Sequence, residues 1–160
     1  MKIKNFNIYR QANFIIAAIC IHFIFFGYIS NIFRKGIGSR LIFLNQLIFE
    51  PRAFLAFFIL FMINFIMVFR ENFFEYGIRN SLWLIPLVII ESWVWYIFIY
   101  AVNFIDLLIL YFGTIDGYLT ILTILIIHLV AAILGAFIKE KYKYYTKTIE
   151  NVERNQREVK

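Results

Sequence analysis

From Ala12 to Phe33 the chain carries no charged residue. A helix that long, rising 1.5 Å per residue, crosses the roughly 30 Å hydrocarbon core of a bilayer. Such a run is too long and too apolar for an ordinary amphipathic surface helix, so the solvent it implies is lipid. The rest of the chain repeats the message. Hydrophobic residues make up 62% of the 160 residues and charged residues 16%, against about 25% charged in soluble domains. A soluble domain of this size could not clothe so much apolar side chain. The reading is all-α: a polytopic transmembrane helical bundle of four spans with a cytoplasmic C-terminal helical extension.

The spans are placed by charge-free stretches. The first covers 12–33 and ends at Arg34, Lys35, Gly36 and Gly38. Leu41–Phe49 is apolar but holds Asn45 and Gln46 and is too short to cross, so it reads as interfacial or re-entrant. Glu50-Pro51 closes it, and Pro51 suits the first turn of the next helix. The second span, 53–69, lies between Arg52 and Arg70. It sits near the lower limit of about 17 residues, and snorkelling arginines extend its reach. Arg70–Asn80 reads as a charged connector. The third span, 81–102, contains Pro86, tolerable where neighbours satisfy the freed carbonyl. Asn103–Phe112 reads as its continuation or as an interfacial piece, and Gly113–Gly117 as a turn. The fourth span is 118–138, followed by a charged tail at 139–160.

Lys and Arg set the orientation. With four spans, one side receives Lys2, Lys4, Arg10, Arg70, Arg79, Lys139, Lys141, Lys143, Lys147, Arg154, Arg157 and Lys160. The other receives Arg34, Lys35, Arg40 and Arg52. The positive-inside rule then puts both termini in the cytoplasm of a bacterial inner membrane. The net charge of +6 thus reads as a topology signal and an attraction to anionic headgroups. With no basic folded domain, no nucleic-acid partner is expected. Lys2, Lys4 and Arg10 precede an apolar run too long for a signal-peptide h-region, and no A-x-A-like site follows. The lone Cys20 cannot form an intramolecular disulfide and reads as a small buried hydrophobe.

Four polar residues fall near the centres of the spans: His22, Asn64, Glu91 and His128. An ionised carboxylate there costs about 2.5–3.5 kcal/mol on insertion scales, so Glu91 should be neutral, paired or facing a wet cavity. A histidine is its natural partner. The plain role of such a layer is interhelical hydrogen bonding; the functional alternative is a proton or cation path through Glu91 with His22 or His128. Haem held by His22 and His128, or zinc on His22, His128 and Glu91, needs those side chains brought together. No cofactor and no metal is expected. Trp83 suits an interfacial belt, while Trp93 and Trp95 read as packing or lipid-facing.

The fourth span continues into a patterned tail. Ile138, Tyr142, Tyr145, Ile149, Val152, Gln156 and Val159 recur at alternating spacings of four and three, an a/d seam with Gln156 as its polar exception. The same register runs backward through Gly135, Ala131 and His128. Ala131 with Gly135, and Ala132 with Ala136, are small-xxx-small pairs that let helices approach closely. Ala131, Gly135, Ile138, Tyr142, Tyr145, Ile149 and Val152 are therefore an expected association face, and a homo-oligomer with a coiled-coil tail is expected. The alternative is an amphipathic tail lying on the membrane.

No nucleophile elbow, phosphate loop or HExxH helix occurs, so enzymatic activity is not expected. Two readings follow. One is a membrane subunit that oligomerises and anchors, recruits or senses a soluble cytoplasmic partner. Its codon-biased Phe, Ile, Asn and Lys suit an accessory system such as phage defence or toxin immunity. The other is a small ion or proton channel or transporter; a haem-binding subunit is a lesser third.

Overall fold

A computed structural model describes residues 8–71 and 74–158; within that range, nothing is stated of the side chains at 8–10, 35, 74 and 150–158. The described residues are helical, without strands. The first rod is built from α1 (Ile8–Cys20), a π-helical segment (Ile21–Phe26) and α2 (Gly27–Phe33). Two 3₁₀ pieces follow, Arg34–Leu41 and Leu44–Leu47. Then come α3 (Phe54–Arg70), α4 (Phe74–Tyr100), α5 (Phe104–Gly113) and α6 (Ile115–Glu158).

Among the described residues, three helices are long and apolar enough to cross a membrane: Gln11–Phe33, Glu75–Tyr100 and Ile115–Ile149. The chain therefore has the build of a helical membrane protein. The α3 helix is equally apolar but only 17 residues long, about 25 Å of axis. It nevertheless sits inside the bundle, against the first rod, α4 and α6.

Side-chain contacts set the helix directions. At one end, Asn13 Nδ2 donates to Glu71 Oε1 at 3.3 Å, Gly77 lies against Val68, and the Tyr142 ring meets Phe69. At the other end, Gly38 N donates to the Tyr100 hydroxyl at 2.7 Å and Asn45 meets Asp116 and Thr120. The first rod, α3, α4 and α6 therefore alternate in direction, and the start of α1 lies at the end from which the tail of α6 departs.

Two sequence expectations change and two open alternatives narrow. The 41–49 segment does not lie along a surface: Leu41, Ile42, Leu44 and Leu47 are fully buried. It plugs the end of the bundle because Asn45 is clamped there. Its Nδ2 donates to Asp116 Oδ1 at 3.0 Å, and its Oδ1 accepts from the Thr120 hydroxyl at 2.7 Å. Pro51 does not open the next helix, which starts at Phe54 after a turn closed by Ala53 N to Glu50 O at 2.9 Å. The 70–80 connector is mostly helix, since α4 begins at Phe74. Residues 103–112 do not continue α4. Ala101 takes a positive φ of 53°, which a residue with a Cβ rarely adopts and which no helix continues through. Asn103 then caps α5 by accepting from Ile105 N at 3.1 Å. Asp106 stands in its first turn, where the helix dipole favours an acid.

Candidate functional site

The four mid-span polar residues do not share one layer. They form two clusters, each holding one histidine.

The closed cluster joins α3, α4 and α6. Its hub is the backbone carbonyl of His128, which accepts from Asn64 Nδ2 at 3.2 Å and from the Ser81 hydroxyl at 3.4 Å. The His128 ring turns back on its own helix, with Nδ1 at 2.8 Å from Ile124 O. A carbonyl can only accept, so Nδ1 carries the proton and Nε2 keeps a bare lone pair. Nε2 and Asn64 Oδ1 are both buried without a hydrogen-bond partner. Asn64, Ser81 and His128 are all buried, so this cluster ties three helices together at a point closed to the outside.

The open cluster joins the first rod to α4. Trp95 Nε1 donates to His22 Nδ1 at 3.4 Å, and Glu91 Oε2 stands 3.5 Å from the same nitrogen. Oε2 is within ion-pair reach but makes no aligned hydrogen bond. An indole N–H is only a donor, so the Nδ1 it meets is the unprotonated nitrogen. The side chains of His22 and Glu91 are 40% and 18% exposed, so this cluster opens on the outer face of the bundle. His22 lies in the π-helical segment, a distortion frequent at functional sites.

Glu91 and Ser81 lie ten positions apart on α4, about 15 Å along its axis, which separates the clusters. Glu91 pairs with His22 and not with His128. Haem and zinc lose their geometric basis, because the two histidines belong to different clusters. Among the described residues no group of three His, Cys, Asp or Glu side chains is placed to hold a metal ion.

Sequence reasoning missed Trp95 and Ser81. The signal for Trp95 was present: Glu91 and Trp95 are an i, i+4 pair and share a face of α4. Ser81 had no such signal, because its partner is a backbone atom. Of the other tryptophans, Trp83 is exposed, and Trp93 packs edge-on to Tyr111 with ring centroids 5.1 Å apart.

The expected association face divides. Ala131, Ala132 and Ala136 are buried within the chain. A Cβ on Gly135 would stand 2.9 Å from Phe65 O and 3.3 Å from Val68 Cβ. The small residues thus admit α3 of the same chain, and His128 lines an intramolecular contact and not an oligomer axis. Beyond them Ile138, Tyr142, Tyr145 and Ile149 are exposed. Val152 and Gln156 lie on α6 among the residues whose side chains are not described, and Val159 lies outside the described residues.

Compared with protein-family models, with curated proteins and with solved structures, the chain matches none.

Proposed function

We propose that the protein is a non-enzymatic subunit of a bacterial inner membrane whose last helix carries an association arm into the cytoplasm. The supporting observation is α6. It runs unbroken for 44 residues, about 66 Å, roughly twice the hydrocarbon thickness. Its second half leaves the bundle with Tyr142, Tyr145 and Ile149 exposed along one stripe. A lone helix in water is marginal, and an apolar stripe on it is stabilised by a partner.

The topology in this reading has four spans, with α3 as the short one and both termini cytoplasmic. The alternating helix directions and the basic residues at the tail end support it. Two inserted copies share one orientation, so their tails meet in parallel. In that register the flanking positions pair Lys141 with Thr146, Thr148 with Glu153 and Asn155 with Lys160, without like-charge opposition. The arm thus forms a coiled-coil homo-oligomer and a platform that recruits or senses a soluble partner. Its setting is an accessory system such as phage defence or toxin immunity.

A Val152→Cys variant with Cys20→Ser tests the arm. Oxidation in membranes should give an intersubunit disulfide, and its absence overturns the oligomer. A soluble partner should co-purify with the full chain and be lost when residues 140–160 are deleted; retention by the truncated chain overturns recruitment by the arm. A periplasm-dependent reporter fused after Lys160 should stay silent, and an active fusion overturns the orientation.

A further inference from the structure

We propose that His22, Glu91 and Trp95 form a proton-binding site within the membrane, in which an arriving proton transfers His22 Nδ1 from Trp95 to Glu91. Two groups compete for one nitrogen. The Trp95 indole N–H is 3.4 Å from it and Glu91 Oε2 is 3.5 Å from it. Both distances are long, as befits a lone pair that two neighbours approach and neither holds tightly.

The exchange balances with a single proton taken from water. In the empty state His22 is neutral with its hydrogen on Nε2, Nδ1 accepts from the indole N–H, and Glu91 is a carboxylate. In the loaded state the proton lies between Nδ1 and Oε2, carried by either atom. Nδ1 is then committed to Glu91, and the indole N–H is released. No other covalent bond changes. The empty pair bears one negative charge and the loaded pair none.

The ligand is a proton and not a metal cation. Only two ligating side chains meet here, and the indole N–H aims its positive end at the nitrogen a metal would need. On the first rod the neighbouring titratable residues are Cys20 and Tyr28. On α3 there is none from Phe54 to Phe69. On α4 from Ser81 to Tyr100 the others are Tyr96 and Tyr100, the latter bound to Gly38 N. Of the further elements packed on α4, α6 carries one titratable residue from Leu119 to Ile138, His128 of the closed cluster, and the Arg34–Leu41 segment carries Arg34, Lys35 and Arg40.

The site is independent of the tail, so its test can fail without touching the association arm. The chain has three tryptophans, and Trp83→Phe with Trp93→Phe leaves Trp95 as sole reporter. This variant, in neutral-lipid nanodiscs, is titrated from about pH 4 to 9. One single-proton change in Trp95 fluorescence is expected. Adding His22→Gln should abolish it, and adding Glu91→Gln should move it to lower pH, because the imidazolium then lacks its carboxylate. A flat titration overturns the proposal, as does a transition that survives His22→Gln or does not move in Glu91→Gln. Imidazole nitrogen NMR on the unsubstituted chain needs no folded variant. The His22 Nδ1 signal should pass to its protonated or strongly hydrogen-bonded position as pH falls, and a signal that stays unprotonated and unmoved overturns the site.

Discussion

The two halves of α6 obey one sequence rule and meet different fates. From His128 to Ala136 the register places small residues on one face, and α3 fills it: Ala131 is 0% exposed and Ala132 is 1%. From Tyr145 to Ile149 the register continues with larger residues, and no helix among the described residues covers it: Tyr145 is 63% exposed and Ile149 is 59%. Residue size makes the difference. Small residues admit a backbone and are satisfied within the bundle, whereas Tyr and Ile hold a neighbour off at coiled-coil distance. On the packed half, the periodic face marks where α3 lies. The size of its residues indicates how near that neighbour comes, and the contacts show that it belongs to the same chain.

Substitutions that crowd the packed half should hurt most. At the entry to α6 a Cβ on Gly117 would fall 2.0 Å from the Tyr111 carbonyl oxygen. The obstacle is backbone and cannot swing aside, so Gly117→Ala should cost about 3 kcal/mol or more. Thermal unfolding in detergent would measure it, and a neutral result would show that α5 is not held against α6. Gly135→Ala comes next. Its Cβ would press on the Phe65 carbonyl oxygen at 2.9 Å, and parting α3 from α6 by a few tenths of an ångström should cost about 1–3 kcal/mol. An unchanged midpoint would mean that the small face serves something other than α3.

Much of this organisation was legible in the sequence. Charge-free runs located the helices, because lipid penalises charge without regard to neighbours. The segments at 41–49 and 101–113 were not legible. Their conformations depend on Asn45 finding Asp116 and Thr120, about 70 positions away, and on the positive φ of Ala101. No local pattern encodes either. The four mid-span polar residues are not grouped as the sequence suggests. Counting residues from the span ends put four in one layer, whereas about 15 Å of α4 axis between Ser81 and Glu91 divides them into a closed pair and an open pair. His128 shows the limit best, since its neighbours bind its carbonyl, a group every residue possesses.

The closed cluster gives the next effect in size. Asn64→Ala removes a bond to the His128 carbonyl and leaves that oxygen to Ser81. Side-chain bonds between membrane helices are worth about 0.6 to 2 kcal/mol, so a loss of about 1 kcal/mol is expected. Asn64→Leu should lose less than the Ala variant if helix packing rather than hydrogen bonding dominates here. A loss larger than that of Gly135→Ala would reverse the ranking and make the polar cluster, not the small face, the main fastener of α6.

The free half of α6 should be almost silent in the same assay. Tyr145→Ser and Ile149→Ser change side chains that are exposed, and surface changes away from special features stay within about 0.5 kcal/mol. Tyr142 is left in place because its ring meets Phe69 and belongs to the packed half. The double variant should therefore unfold with the parent when monomeric, yet lose the Val152→Cys crosslink and the co-purifying partner. Dilution separates the two effects, because association stabilises in proportion to the logarithm of concentration while intrachain packing does not. If the parent's unfolding midpoint rises with protein concentration and the double variant's does not, the halves divide where residue size predicts. A double variant destabilised equally at every dilution would mean that Tyr145 and Ile149 pack within their own chain, and the comparison would fail at its free end.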